Sequence, residues 1–174
     1  PISRLMLRHR FGNVDTAIAK VPVSQVNNPG LIFERLSWRR SKGRYEQSIE
    51  LLMTSPSHLP YPEKWWKERA YLARTALKNG HLSTAYRLVK NHRLKSGPDF
   101  ADAEWLAGWI ALRFLEEPKV ALGHFERMYK YVKYPISRAR GAYWTGRAAE
   151  ALRKKDAAIK WFSIAAKLST TYYG

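Results

Sequence analysis

Along this chain, a small residue followed four positions later by a larger apolar one keeps returning. Ala17 and Val21, Ser48 and Leu52, Ala85 and Val89, Ala121 and Phe125, and Ala158 and Phe162 all fit. Successive pairs lie 31 to 37 residues apart. Each follows a turn signal: Gly12, Gly43, Gly80, then "LEEPK" and "RKKD". A second helical pattern precedes each complete turn, so the unit reads helix, short turn, helix. Breakers separate the units: "VPVSQVNNPG", "TSPSHLPYPEK", "RLKSGPDF" and "KYP". Pro29, Pro62, Pro118 and Pro135 stand where helices begin, because a first-turn N–H has no intrahelical acceptor to lose. Ser83, Asp99 and Asp156 are the expected N-caps. No segment alternates apolar and polar residues with period two, so no strand is expected.

The segment "RARGAYWTGRAAEAL", Arg138 to Leu152, adds a packing rule. Ala139, Ala142, Gly146 and Ala149 recur at a spacing of three to four and make one helix face almost entirely small. A helix-interior glycine costs about 1 kcal/mol relative to alanine, so Gly141 and Gly146 call for a compensating close approach. The unit before it, "AEWLAGWIALRFL", repeats the arrangement, with Ala107, Gly108 and Ala111 small and Trp105, Trp109 and Leu112 large. Gly108 and Gly146 fall at the glycine of the tetratricopeptide pattern, whose period is about 34 residues. The pattern predicts an all-α, right-handed superhelical solenoid of tetratricopeptide-like hairpins spanning 1–174 as one domain. It would hold about five pairs, the first incomplete at its N-terminal end. Trp105, Trp109, Trp144 and Phe162 are expected in the core.

Composition narrows the class. With 174 residues, 45% hydrophobic and 26% charged, the chain can bury a real core. Arg or Lys interrupts every apolar stretch before it reaches membrane-span length. "PISRLMLRHR" has neither the apolar core nor the cleavage site of a signal peptide, and a start at Pro1 suggests an excised piece of a longer protein. Zero cysteines exclude disulfide and thiol chemistry. A net charge of +17 favours an anionic partner, or else Arg/Lys-rich solvated helix faces.

Candidate chemistry is sparse. His9, His58, His81, His92 and His124 show no i, i+4 pair, and with no cysteine and no HExxH a metal site is not expected. No GxSxG, P-loop or dinucleotide fingerprint occurs, so neither a catalytic constellation nor a cofactor is expected. Glu116 and Glu117 read as a solvated turn. Glu104 and Glu150 sit on largely apolar helices, where a salt bridge to a nearby arginine is the favoured reading. Adjacent Trp65 and Trp66 cannot both face one core, so one should cover a loop or line a surface. The densest basic cluster is "WRRSKGR", with Arg39, Arg40, Lys42 and Arg44 across a helix–helix turn; "SRAR", with Arg138 and Arg140, is a second. These six are the candidate contacts for an anionic polymer, expected to be separable from the fold.

Longer words carry a resemblance. "DFADAEWLAGWIALRFL", "ALGHFERMY", "PISRARGAYWTGRAAEAL" and the terminal "TTYYG", with "PGLIFERLSWRRSKG" and "WWKERAYLARTAL" upstream, resemble the helical superhelix of soluble lytic murein transglycosylases of the alphaproteobacterial type. The resemblance implies a periplasmic protein that cleaves the MurNAc–GlcNAc bond of peptidoglycan and leaves 1,6-anhydro-muramyl ends. It implies a linker and a lysozyme-like catalytic domain as partners of the superhelix. The family's catalytic acid is a Glu followed by Ser; no Glu-Ser dipeptide occurs here, so no catalytic residue carries over. This piece then matches the non-catalytic scaffold that holds glycan strands. Two other readings stand beside it: a tetratricopeptide-like protein-interaction module, which the repeat alone supports, and a nucleic-acid binder, which rests on charge without any nucleic-acid motif.

Overall fold

A computed structural model describes residues 2–9, 14–56 and 59–168. Gly12, His58 and "TTYYG" lie outside the described residues. Eleven helices are found among the rest: α1 (Ile2–Arg8), α2 (Val14–Ala19), the single turn α3 (Val23–Val26), α4 (Pro29–Ser41), α5 (Tyr45–Thr54), α6 (Pro62–Lys78), α7 (Leu82–Lys90), α8 (Gly97–Arg113), α9 (Pro118–Tyr131), α10 (Pro135–Ala151) and α11 (Lys155–Ala166). No strand is present among the described residues. They pair as antiparallel hairpins α1/α2, α4/α5, α6/α7, α8/α9 and α10/α11, stacked in order into a right-handed superhelix.

The repeat is written into the backbone as well as the side chains. Gly43 (φ 70°), Gly80 (φ 77°), Glu116 (φ 55°) and Arg153 (φ 60°) occupy the left-handed region at the turns inside the last four hairpins, 36 or 37 residues apart. At Gly43, the Arg44 N–H donates to the Arg39 carbonyl and the Gly43 N–H to that of Arg40. That pair of bonds defines a Schellman C-cap, and it requires positive φ at the residue after the cap. Gly80 and Arg153 close α6 and α10 with the same two bonds. Only the first two turns use glycine, so the later ones were legible in the sequence as charge clusters alone.

All four prolines occupy the first position of their helices. The expected N-caps are displaced. Ser83, Asp99 and Asp156 lie inside the first turns of α7, α8 and α11, whose caps are His81, Ser96 and Lys154. The two carboxylates still complement the positive end of the helix dipole. The described side-chain N-cap is Asn28, whose Oδ1 accepts from the N–H groups of Gly30 and Leu31.

The small residues answer to close contacts on two sides. A Cβ at Gly108 would sit 2.6 Å from the Phe125 ring, and one at Gly146 would sit 2.6 Å from the Phe162 ring. In both hairpins a first-helix glycine thus receives the phenylalanine of the second helix. Gly141 faces the other way: its Cβ would lie 3.0 Å from the Tyr129 backbone nitrogen, on α9 of the preceding hairpin. Ser48, Leu52, Ala85, Val89, Ala121 and Phe125 are all fully or nearly fully buried.

Trp65 and Trp66 are both buried, one on each side of α6. Trp65 packs its edge on Phe33 and donates Nε1–H to the Pro60 carbonyl, covering the α5–α6 loop. Trp66 turns to the next hairpin, where it meets His92 and donates to Asp102. Trp65 thus covers a loop as the sequence suggested, but both rings belong to one core cluster, because that core continues from hairpin to hairpin on both sides of α6.

Candidate functional site

The six candidate basic residues do not form one patch. Arg39, Arg40, Lys42 and Arg44 gather at the α4–α5 turn, whereas Arg138 and Arg140 lie on α10, which packs against α8, α9 and α11. Within the first group the roles divide. Arg40 donates Nε–H and Nη2–H to the Glu68 carboxylate at 2.6 and 3.2 Å, and its guanidinium lies over the Tyr71 ring. Glu68 is largely buried, so Arg40 neutralises a charge that is mostly shielded from water. The expectation that this residue is separable from the fold is corrected: it ties α4 to α6. Arg39 donates to the Gln47 carbonyl at 2.9 Å. Arg44 lies over the Trp38 ring at 5.0 Å, with Asp15 at 3.8 Å. Lys42, at the C-cap of α4, is exposed and makes no ion pair among the described residues.

Arg138 and Arg140 point to different neighbours because residues two apart on a helix diverge. Arg138 lies 4.7 Å over the Tyr129 ring and donates to its hydroxyl, on α9. Arg140 lies 5.3 Å over the Trp105 ring, on α8. Arg40, Arg44, Arg138 and Arg140 are thus all laid on aromatic faces, an arrangement worth about 0.5–1 kcal/mol each at exposed sites.

One consequence is a ladder along the first helices of the hairpins. Arg40 of α4 joins Glu68 and Tyr71 of α6; Trp66 and Arg74 of α6 join Asp102 of α8; Trp105 of α8 joins Arg140 and Trp144 of α10. At its distal end the Trp105 and Trp109 rings stack at 5.7 Å, Trp144 meets Trp105 edge-on at 6.0 Å, and Phe114 meets Trp109 edge-on at 5.0 Å. Trp105, Trp109, Trp144 and Phe162 are half-buried rather than core residues. The i, i+4 spacing shows that the two tryptophans of α8 share a face, and that face packs on the core while staying partly open to solvent. Trp105 Nε1, Trp144 Nε1 and Arg140 Nε are covered donors with no protein acceptor among the described residues. Flat ring faces beside a guanidinium suit amphipathic ligands that combine an apolar face with acceptor groups.

Beneath this face lies a polar node. The Glu104 carboxylate, 3% exposed, accepts from His124 Nδ1, from Arg127 Nε at 2.9 Å and Nη2 at 3.1 Å, and pairs with His92 Nε2 at 3.5 Å. His92 Nδ1 accepts from the Leu94 N–H, and Tyr86 Oη bonds His124 Nε2 at 3.0 Å. Burial alone would raise the Glu104 carboxyl, but hydrogen bonds from His124, His92 and Arg127 hold it well below the usual carboxylate range. The salt bridge read from the sequence is present, to Arg127. The convergence of His92 and His124 is not in the sequence spacing, because one sits in a loop and the other on α9. No group of side chains among the described residues is arranged to hold a metal ion. Glu116 and Glu117 are exposed in the α8–α9 turn, and Glu150 pairs with Arg147 on the surface.

No family profile matches the chain, and no curated protein matches it. Solved structures do. MamA aligns at TM-score 0.53 and 17% identity over 98% of this chain and 95% of its own. A kinesin light chain-like protein of Podosopora anserina with nearly identical TPR-like repeats aligns at TM-score 0.55 and 16% identity, over 97% and 92%. At these identities the likeness is one of fold. This chain is a tetratricopeptide-like helical-repeat solenoid. No described helix is long and apolar enough to cross a membrane.

Proposed function

We propose that this chain is an interaction scaffold that holds an extended partner along the face built by its first helices. The ladder from Arg40 and Tyr71 to Arg140, Trp105 and Trp109 carries the reading. It sets stacked aromatic surfaces and guanidinium groups in a row on a curved solenoid, and such solenoids use their curvature for extended binding. The likeness to TPR-like repeat structures favours a protein segment as the occupant.

The long motifs around "DFADAEWLAGWIALRFL" and "PISRARGAYWTGRAAEAL" support a more specific setting: the non-catalytic superhelix of a periplasmic soluble lytic transglycosylase, positioning peptidoglycan glycan strands for a catalytic domain elsewhere in the protein. The net charge of +17 suits that polymer, whose peptides carry carboxylates. Sedimentation with purified murein sacculi tests this setting. Retention at about 150 mM salt, with no release of anhydro-muropeptides, is expected; passage into the supernatant would leave the protein-binding reading in place.

A further inference from the structure

Away from the ladder, a cleft of about 420 Å³ opens between α1, the start of α4 and the start of α6. Its size falls within the range of ligand pockets, about 300–1,000 Å³. Phe33, Pro60, Tyr61 and Trp65 supply its apolar surface, and Arg4, Arg8 and Lys64 its rim. These three cations share a single lining carboxylate, Glu34. Arg8 takes it, donating Nη2–H at 2.8 Å and Nε–H at 3.3 Å. Arg4 shares the same oxygen at 3.7 Å, and the Lys64 ammonium lies over the Tyr61 ring and makes no ion pair among the described residues.

The exposed Arg4 side chain reaches across Gly30. Its Cζ lies 2.7 Å from where a Cβ on Gly30 would be, so the absence of that carbon lets it rest on the first turn of α4. The neighbouring N–H groups of Gly30 and Leu31 are already taken by Asn28, so the surplus charge of the cleft resides in its side chains.

We propose that this cleft binds an acidic peptide segment, with an aromatic or aliphatic side chain against Phe33 and Trp65 and a flanking carboxylate between Arg4 and Lys64. The proposal rests on the reading of the chain as an interaction scaffold, and not on murein as its polymer. Three cations over a single lining carboxylate, beside an aromatic floor, leave a net positive charge that selects a carboxylate adjoining an apolar group; a merely basic surface would take any polyanion. The residues sit on three elements, so the arrangement exists only in the folded chain.

The test is fluorescence anisotropy with a labelled Glu-Phe-Asp-Glu-Phe-Asp peptide at about 150 mM salt, beside hexaglutamate and the neutral Gln-Phe-Asn-Gln-Phe-Asn peptide. The acidic aromatic peptide should bind about tenfold or more tightly than either control. Arg4→Gln with Lys64→Gln should remove that preference, while Lys90→Gln with Lys130→Gln, outside the cleft, should preserve it. Gly30→Ala, which displaces Arg4 without removing a charge, should weaken binding without lowering the thermal midpoint. It decides the matter if the double variant folds poorly. Absence of binding, equal binding of hexaglutamate, or equal loss in the two double variants would overturn the proposal. Peptide capture without sacculus retention would sink the murein setting alone, and the reverse would sink this inference alone.

Discussion

Gly146 and Phe162 occupy one space: a Cβ on the glycine would lie 2.6 Å from Cε1 of the phenylalanine ring. Gly108 and Phe125 repeat the relationship one hairpin earlier, with a difference in freedom. Phe125 is fully buried, whereas Phe162 is half-buried and its ring can swing outward. Gly→Ala gains about 1 kcal/mol in helix propensity, against roughly 1–3 kcal/mol for overpacking. Gly146→Ala should therefore be near neutral, Gly108→Ala destabilising by about 1–2 kcal/mol, and Gly146→Leu destabilising by about 1–3 kcal/mol. Urea midpoints for the three variants check this order.

Arg153 offers the opposite change. It holds φ 60° in the same Schellman position that Gly43 and Gly80 fill in earlier units. A left-handed conformation costs a non-glycine residue roughly 1–2 kcal/mol. Arg153→Gly should stabilise by about 1 kcal/mol or slightly less, and Gly43→Ala should destabilise by a similar amount. Thermal melts of the two variants should move in opposite directions.

The Glu104 node makes a pH prediction. A folded-state pKa held below the ordinary value adds stability that is fully present above the unfolded value, about 4.3, and lost as pH falls through the folded one. Glu104→Gln should cost roughly 2–4 kcal/mol at pH 7, because each hydrogen bond to a charged group contributes about 1.5–3 kcal/mol. The gap between wild type and variant should narrow below about pH 4. A gap that stays constant from pH 7 to pH 3 would show that the carboxylate charge is not the stabilising element.

Arg40 and Lys42 lie two residues apart and should behave differently. Arg40→Gln leaves the buried Glu68 carboxylate without its guanidinium and should destabilise by about 1–3 kcal/mol. Lys42→Gln, on an exposed cap, should stay within about 0.5 kcal/mol of wild type. Denaturation of the two single variants separates fold from charge at this turn.

The hairpin repeat was legible because it is local: small/large pairs, turn glycines and helix-starting prolines each act within one unit. The packing of Gly108 and Gly146 followed from the same periodicity. The partial exposure of Trp105 and Trp109 was not legible, since they share a stripe whether that stripe is fully covered or left at the edge of the core. Nor was the pairing of Arg40 with Glu68, or of His92 and His124 with Glu104, which depends on how hairpins stack. Composition likewise counted the six basic residues alike, although the structure engages Arg40 in an ion pair and leaves Lys42 exposed.

In the murein setting, binding through the first-helix ladder is tested by comparing polymers and variants. Murein sacculi, and double-stranded DNA as a competing polyanion, are offered at about 150 mM salt to wild type, to Trp109→Ala with Arg140→Gln, and to Lys90→Gln with Lys130→Gln on the second helices. Retention should be tighter on sacculi than on DNA, lost in the first-helix variant and kept in the second-helix variant, both compared at a temperature where circular dichroism shows them fully folded. Tighter binding to DNA, or equal loss in both variants, would contradict this reading.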